Sequence, residues 1–323
     1  MISEANVLAF AHAHYDFKWL QMAPLTDKVF QLRTAQKDYV LKFSSDDDFL
    51  MKQMYAHKEL PDHVLPLYKT RAGETVARLE TGFAYLTDHV FEVPMPLEKR
   101  VSQYAELLGK LHAATGLEVE KHEVEISDAY QVDYQKIERN FALLEQRMSE
   151  IELKVARSPF EWYVMMVYPL LYGMYRRSDA AMQRFYRGLS RKKQLPVAMV
   201  HGDVNVANLL PCAKESYLIN FEKSEFAVPG QDLVRFLRHY HQLPGVKGMV
   251  SRYLKAQKNP LIVHDFFMHG LCVDLEAALA DDAMDALPAI SILNESVAPG
   301  MVAMQIYDEL SAPKQSEAPA AQV

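Results

Sequence analysis

A chain of 323 residues exceeds what one small hydrophobic core usually organises, so two packed lobes are the starting expectation. Half of the residues are hydrophobic and 24% are charged, a globular balance that excludes a wholly disordered chain. The formal net charge of −7, with both signs mixed along the chain, leaves no broad positive field, and nucleic acid and anionic lipid are not expected partners.

The first twenty residues lack the basic start and unbroken apolar stretch of a signal peptide, so a cytoplasmic protein is expected. From Asp27 to Ser44, two β-rich runs, Val29 to Thr34 and Tyr39 to Phe43, flank the polar turn 35–38 and predict a hairpin. A helix is expected from about Asp48 to Lys58, with Asp46, Asp47 and Asp48 capping its start. The runs Val64 to Lys69 and Thr75 to Glu80 then read as strands flanking a turn at Gly73. Thr81 to His89 reads as a connection between lobes, because Pro94 and Pro96 punctuate the chain just before helical periodicity begins.

The spacing of Leu97 to Ala114 puts Val101, Tyr104, Ala105, Leu108, Leu111 and His112 on one helical face, expected to be core. Further helices are predicted over Ala129 to Val155, Phe160 to Arg177, Asp179 to Ser190, Asp232 to Tyr240 and Leu261 to Leu279. The apolar stretch Trp162 to Tyr175 contains Pro169 and Gly173 and falls short of the roughly 20 residues that span a bilayer, so a buried helix is expected and no integral membrane segment. Cys212 and Cys272, in no paired spacing, exclude a disulfide framework or zinc motif and fit a reducing compartment. The expected fold class is α+β and bilobal, with a small antiparallel β lobe over 1–88 that binds nucleotide and a larger helical lobe over 89–311. A disordered tail is expected over 312–323, where Pro, Ala, Gln and Ser leave little to bury.

The most informative stretch is Val197 to Phe221, VAMVHGDVNVANLLPCAKESYLINF, in which apolar strands bracket a polar loop. A hairpin centred on Lys214 is predicted to pair Leu210 with Leu218 and Asn208 with Asn220, so that two amides meet beside Asp203. A loop carboxylate followed five residues later by an amide suits phosphoryl transfer. Asp203 would orient an attacking hydroxyl and accept its proton, and Asn208 would give an oxygen to magnesium. Gly202 would allow a tight turn, and His201 would brace the loop.

HGDVNVANLL followed by YLINFE and DLVRFL is similar to the catalytic region of the aminoglycoside phosphotransferase and choline kinase superfamily. The resemblance extends to YAELLGKLHAAT, similar to the helix that opens the large lobe, and to Lys42, which resembles the lysine that holds nucleotide phosphates. It implies a protein-kinase-like fold, an ATP site between lobes, Mg²⁺ and transfer of phosphate to a small hydroxyl acceptor. Within the group, the length and the DLVRFLRHY continuation look most like the spore-coat kinase-like branch, which implies a spore-associated location and coat or assembly partners as the alternative.

Relatives carry an aspartate where this chain has Asn220, so one anionic magnesium ligand is missing and activity is expected to be weak or lost. Glu222 lies two residues on, hence on the same face of an extended strand and roughly 7 Å along it. It joins Asn208 and Asn220 in the expected metal set. The segment Ala23 to Val29 has no glycine for a phosphate-covering loop, and the helix after Lys42 has no central glutamate to pair with it. Two readings follow: a weak small-molecule kinase, or an inactive kinase-like structural component.

Overall fold

The computed structural model describes residues 4–44, 48–79, 82–279 and 286–311. Asp46 and Asp47, expected as helix caps, and the expected tail 312–323 lie outside the described residues. Contacts group the chain into two compact units, Met1–Leu117 with Val197–Ala227, and Glu118–Pro196 with Val228–Val323. The first unit is therefore discontinuous: the segment carrying the HGDVN loop packs with the β-rich N-terminal part.

The first unit is built on a five-stranded antiparallel sheet: β1 (Gln21–Pro24), β2 (Val29–Arg33), β3 (Asp38–Ser44), β4 (Ala77–Leu79) and β5 (Gly82–Asp88), in the order β1-β2-β3-β5-β4. The β2–β3 hairpin forms where the β-branched and aromatic runs place it, with Val29 opposite Lys42 and Arg33 opposite Asp38. Alternation decides the faces of β3. Tyr39, Leu41 and Phe43 are buried with Phe30 and Leu32 against the helix α1 (Glu4–His14), through Val7 and Ala11, leaving Val40 and Lys42 on the opposite face. On that face the helix α2 (Asp48–Glu59) packs Phe49 and Leu50 against Tyr85.

Several local expectations are corrected. The connection read over Thr81 to His89 is β5, a strand paired with both β3 and β4, in which Ala84, Tyr85, Leu86 and Thr87 are all buried. The proline signals at 94 and 96 mark the start of the next helix and carry no information on the strand before them. The run Val64 to Lys69 makes only isolated bridges, Val64 to Leu218 and Tyr68 to Leu86. The helix α1 and the strand β1 gave no distinct sequence signal.

The helix α3 (Leu97–Thr115) buries Val101, Tyr104, Leu108, Leu111 and His112 along the predicted face, and Leu107 and Thr115 as well, while Ala105 of that face is only half-buried. The strand Gln194–Val200 pairs antiparallel with Glu225–Ala227, placing Val200 opposite Glu225. Thr115 Oγ1 accepts from the Met199 amide at 3.0 Å and ties the end of α3 to the strand that leads into the loop.

The second unit is helical: Glu123–Glu152, Pro159–Lys192, Gly230–Tyr240, Val246–Ala256, Pro260–Leu271, Glu276–Leu279 and Ala286–Ser311. The two helices expected between 160 and 190 are one helix of 34 residues. The Ser158 side chain accepts from the Glu161 amide while Glu161 accepts from the Ser158 amide, which fixes its start. Ser178 does not break it, because its buried hydroxyl donates to the Met268 carbonyl at 2.6 Å. Helix Ala286–Ser311, not anticipated from the sequence, is long and apolar enough by length and composition to cross a membrane. Its Ala289, Leu293, Val297, Ala303 and Ile306 form a buried face, which packs on helices Pro159–Lys192, Val246–Ala256 and Pro260–Leu271.

Candidate functional site

The HGDVN loop is held by its backbone. Gly202 has φ +77°, and a Cβ there would lie 2.0 Å from the Lys223 carbonyl oxygen, so both conformation and space require glycine. The fully buried His201 ring donates through Nε2 to the Ile219 carbonyl at 2.9 Å, and its own carbonyl accepts from Ser224 Oγ. The brace expected of His201 is therefore present. The Asp203 carbonyl accepts from Tyr104 Oη at 3.2 Å, Asn208 Nδ2 at 2.8 Å and the Asn205 amide at 2.9 Å. Three donors on one oxygen fix the backbone and leave the Asp203 carboxylate, 41% exposed, facing out, with Lys223 Nζ 3.5 Å away.

Arg100 clamps the far side of the same turn, donating to the carbonyls of Val206 at 3.0 Å and Leu209 at 2.6 Å while pairing with Glu92 at 2.9 Å. Sequence reasoning missed Arg100. Its one signal is its position four residues before Tyr104, which places both on adjoining turns of one helix face.

The hairpin after the loop pairs Leu209 with Leu218, Leu210 with Tyr217 and Pro211 with Ser216. The expected pairing of Leu210 with Leu218 and Asn208 with Asn220 is off by one residue, because the turn over 212–215 holds one residue fewer on its far side. A one-residue slip should turn the two amides to opposite faces. They meet because Asn220 leaves the strand: its backbone is left-handed at φ 63°, ψ 63°, and its Nδ2 donates to Asn208 Oδ1 at 2.8 Å. The next residues, Phe221–Lys223, form a 3₁₀ turn against α2, with Phe221 fully buried. Glu222 therefore does not continue an extended strand as expected. The turn carries its carboxylate to Lys42 instead.

Lys42 Nζ donates to Glu222 Oε1 at 2.9 Å and to Asn220 Oδ1 at 3.2 Å. Lys42, Asn220, Asn208 and Asp203 thus form one hydrogen-bonded chain from β3 to the HGDVN loop, joined by Glu222 at its first link. The Tyr85 hydroxyl is pushed well above its ordinary range by burial and, secondarily, by the nearby Glu222 charge. It stays a neutral neighbour across the strand pair from Lys42. On α2, Gln53 donates to the Leu65 carbonyl at 3.3 Å, consistent with the missing acidic partner on that helix.

Lys42 and Asn220 stand on the wall of a cleft of about 420 Å³, lined entirely by residues of the first unit. Val29, Val40, Leu65, Leu210 and Ile219 give it apolar walls, and the segment from Asp88 to Glu92 forms one edge. This combination of apolar walls and one end rich in hydrogen-bonding groups suits a flat heteroaromatic ligand with a charged tail. His89, at that edge, has a buried Nδ1 with no hydrogen-bond partner among the described residues. Its pKa is lowered by burial, against a smaller opposing pull from Asp38.

A magnesium ion at this site would draw on Asn208, Asn220 and Glu222. As arranged, these donors do not fit it: Asn208 Oδ1 accepts from Asn220, and Asn220 Oδ1 and Glu222 Oε1 both accept from Lys42. Glu222 is also the only carboxylate in the trio, and among the described residues no group of three His, Cys, Asp or Glu side chains is placed to hold an ion.

No protein-family model matches the sequence, and no curated protein matches it. Solved structures do. An aminoglycoside phosphotransferase from Alicyclobacillus acidocaldarius is 15% identical, with 96% of each chain covered and a TM-score of 0.62. Spectinomycin phosphotransferase APH(9)-Ia in complex with ADP and spectinomycin is 13% identical, covering 95% of this chain and 99% of its own, at a TM-score of 0.46. The choline kinase LicA from Streptococcus pneumoniae is 12% identical, covering 95% and 100%, at 0.41. The first of these carries the fold assignment: the chain has the kinase-like fold of an aminoglycoside phosphotransferase, a small antiparallel sheet region with a larger helical part.

Proposed function

We propose that this protein binds a nucleoside triphosphate in the first-unit cleft and is built on the plan of a small-molecule phosphotransferase. The observation that carries the reading is the chain from Lys42 through Asn220 and Asn208 to Asp203, set at one end of an apolar cleft in a phosphotransferase fold. In this reading residues 1–88 are the nucleotide-binding lobe. The base packs between Val29, Val40, Leu210 and Ile219, and the phosphates extend toward Lys42, whose ammonium offsets their charge.

Transfer requires a hydroxyl acceptor beside Asp203. The acceptor oxygen forms a bond to the terminal phosphorus as the bond to the leaving diphosphate oxygen breaks, and Asp203 takes the hydroxyl proton. The fixed Asp203 backbone supports this role, since it aims a solvent-accessible carboxylate from an immobile loop. Acceptors of this type are small hydroxyl compounds.

A second reading has its own support. The amide of Asn220, engaged with Asn208, puts a neutral group where magnesium catalysis calls for an anionic ligand, and favours a nucleotide-binding protein without transfer activity; the assembly role, as in a spore coat, comes to it from the sequence resemblance alone. Thermal-shift titration with ATP separates the readings from a protein with no nucleotide site. A ligand bound only by the native state raises the melting temperature, by an amount that grows with the logarithm of its concentration over Kd. A rise with ATP, lost in Lys42→Ala, is expected. No rise at millimolar ATP with or without MgCl₂ would refute nucleotide binding. Transfer is then scored by loss of ATP against a panel of amino alcohols and sugars.

A further inference from the structure

We infer that Glu222 is the positioning residue of Lys42, and that the Lys42 ammonium, held by Glu222, serves as the cation for the nucleotide phosphates in place of a divalent metal. This rests on the nucleotide reading above and adds to it which group neutralises the phosphates and what holds that group.

The geometry comes from three independent segments. Alternation along β3 buries Leu41 and Phe43 and leaves Lys42 on the cleft face, with a side chain only 23% exposed. A long, flexible ammonium side chain there needs a counter-ion to hold one conformation. At the middle of the helix on that face the polar residue is Gln53, a neutral amide engaged with the Leu65 carbonyl. The left-handed turn at Asn220 and the 3₁₀ turn after it bring Glu222 to 2.9 Å from Lys42 Nζ, a charge-assisted contact between residues 180 positions apart. Asn220 Oδ1 adds the second acceptor at 3.2 Å.

The same contacts make lysine and metal alternatives. Asn220 Oδ1 and one of the two Glu222 carboxylate oxygens, Oε1, already accept from Lys42, and Asn208 Oδ1 accepts from Asn220. A divalent ion entering here would have to displace the ammonium from Glu222 and be repelled by it. The arrangement therefore favours metal-free nucleotide, with Lys42 donating to the phosphates while Glu222 fixes its stem.

The test uses the full chain and Glu222→Gln, Lys42→Met and the double variant. First, calorimetry with ADP in excess EDTA: the parent binds, each single variant weakens binding about tenfold, and the double variant binds no worse than Lys42→Met, because Glu222 acts only through Lys42. Second, Mn²⁺ titration followed by electron paramagnetic resonance: Glu222→Gln leaves any Mn²⁺ binding unchanged. Third, mass-spectrometric acylation of Lys42, which needs no nucleotide: loss of the partner in Glu222→Gln raises the rate at least threefold. An unchanged acylation rate overturns the pairing. Binding of ADP only with Mg²⁺, or loss of Mn²⁺ binding in Glu222→Gln, overturns the substitution of lysine for metal while leaving the nucleotide reading intact. Failure of the parent to bind ADP under any condition overturns the nucleotide reading and with it the role of Lys42 on phosphate, and the acylation rate then decides the pairing alone.

Discussion

The Asn220 amide donates to the side-chain oxygen of Asn208 at 2.8 Å, although strand register alone would turn the two residues apart. The contact depends on the left-handed backbone at Asn220, a conformation that Asn and Asp adopt more readily than other side chains except glycine.

Asn220→Asp keeps that backbone and replaces the donor by an anionic oxygen facing Asn208 Oδ1. Without metal, two acceptors then oppose each other, and the loss of this partly buried hydrogen bond costs on the order of 1 kcal/mol, partly offset by attraction to Lys42. With metal, the added carboxylate completes an oxygen ligand set. The expected outcome is a melting temperature below the parent in EDTA that recovers steeply on titrating MgCl₂, to which the parent is insensitive. A variant equally blind to MgCl₂ would show that a carboxylate here does not make a metal site.

Asp203→Asn preserves the backbone contacts from Tyr104 and Asn208, which involve the carbonyl and not the carboxylate. Nucleotide affinity and melting temperature should stay at parental values. Any phosphate transfer should fall by about 10²-fold or more, the scale of a lost general base. Transfer at the parental rate would remove Asp203 from the chemistry.

Gly202→Ala meets the Lys223 carbonyl at 2.0 Å in a backbone conformation of φ +77°. Strain of roughly 1–3 kcal/mol from conformation alone, with the clash added, should appear as a lower urea midpoint. It should also loosen the Asp203 loop, read as faster amide exchange at Asp203 and Asn205. A midpoint equal to the parent would mean that the turn has slack the structure does not show.

His89 provides a pH dependence. Burial depresses its folded pKa below the ordinary 6.5, with Asp38 pulling weakly the other way and Arg33 reinforcing the depression. As pH falls through 6.5 the unfolded chain takes a proton that the folded one resists, so the unfolded state is favoured and stability falls. Above 6.5 both states are neutral at this ring and the effect vanishes. His89→Gln should flatten the fall in melting temperature between pH 7 and pH 5.5. An identical slope in the variant would place the dependence elsewhere, for example on the half-buried His264, whose pKa is also lowered by desolvation.

Much of this protein is legible locally. The β2–β3 hairpin, the buried face of α3 and the tight turn before Asp203 follow from periodicities and turn chemistry within a few residues, and these need no knowledge of distant partners. What local patterns leave open is decided where segments far apart in sequence meet. Gly82–Asp88 looks like a connector until its pairing with both β3 and β4 makes it a central strand. Ser178 looks like an end of helix until the Met268 carbonyl accepts its hydroxyl. The expectation that Glu222 would follow Asn220 along an extended strand failed because Phe221 is drawn into the core, and burying that ring turns the backbone. Which residues supply a lysine, two amides and carboxylates is written in the sequence; that Glu222 serves Lys42, 180 positions away, is set only by tertiary packing, because a through-space contact leaves no periodic trace in the chain.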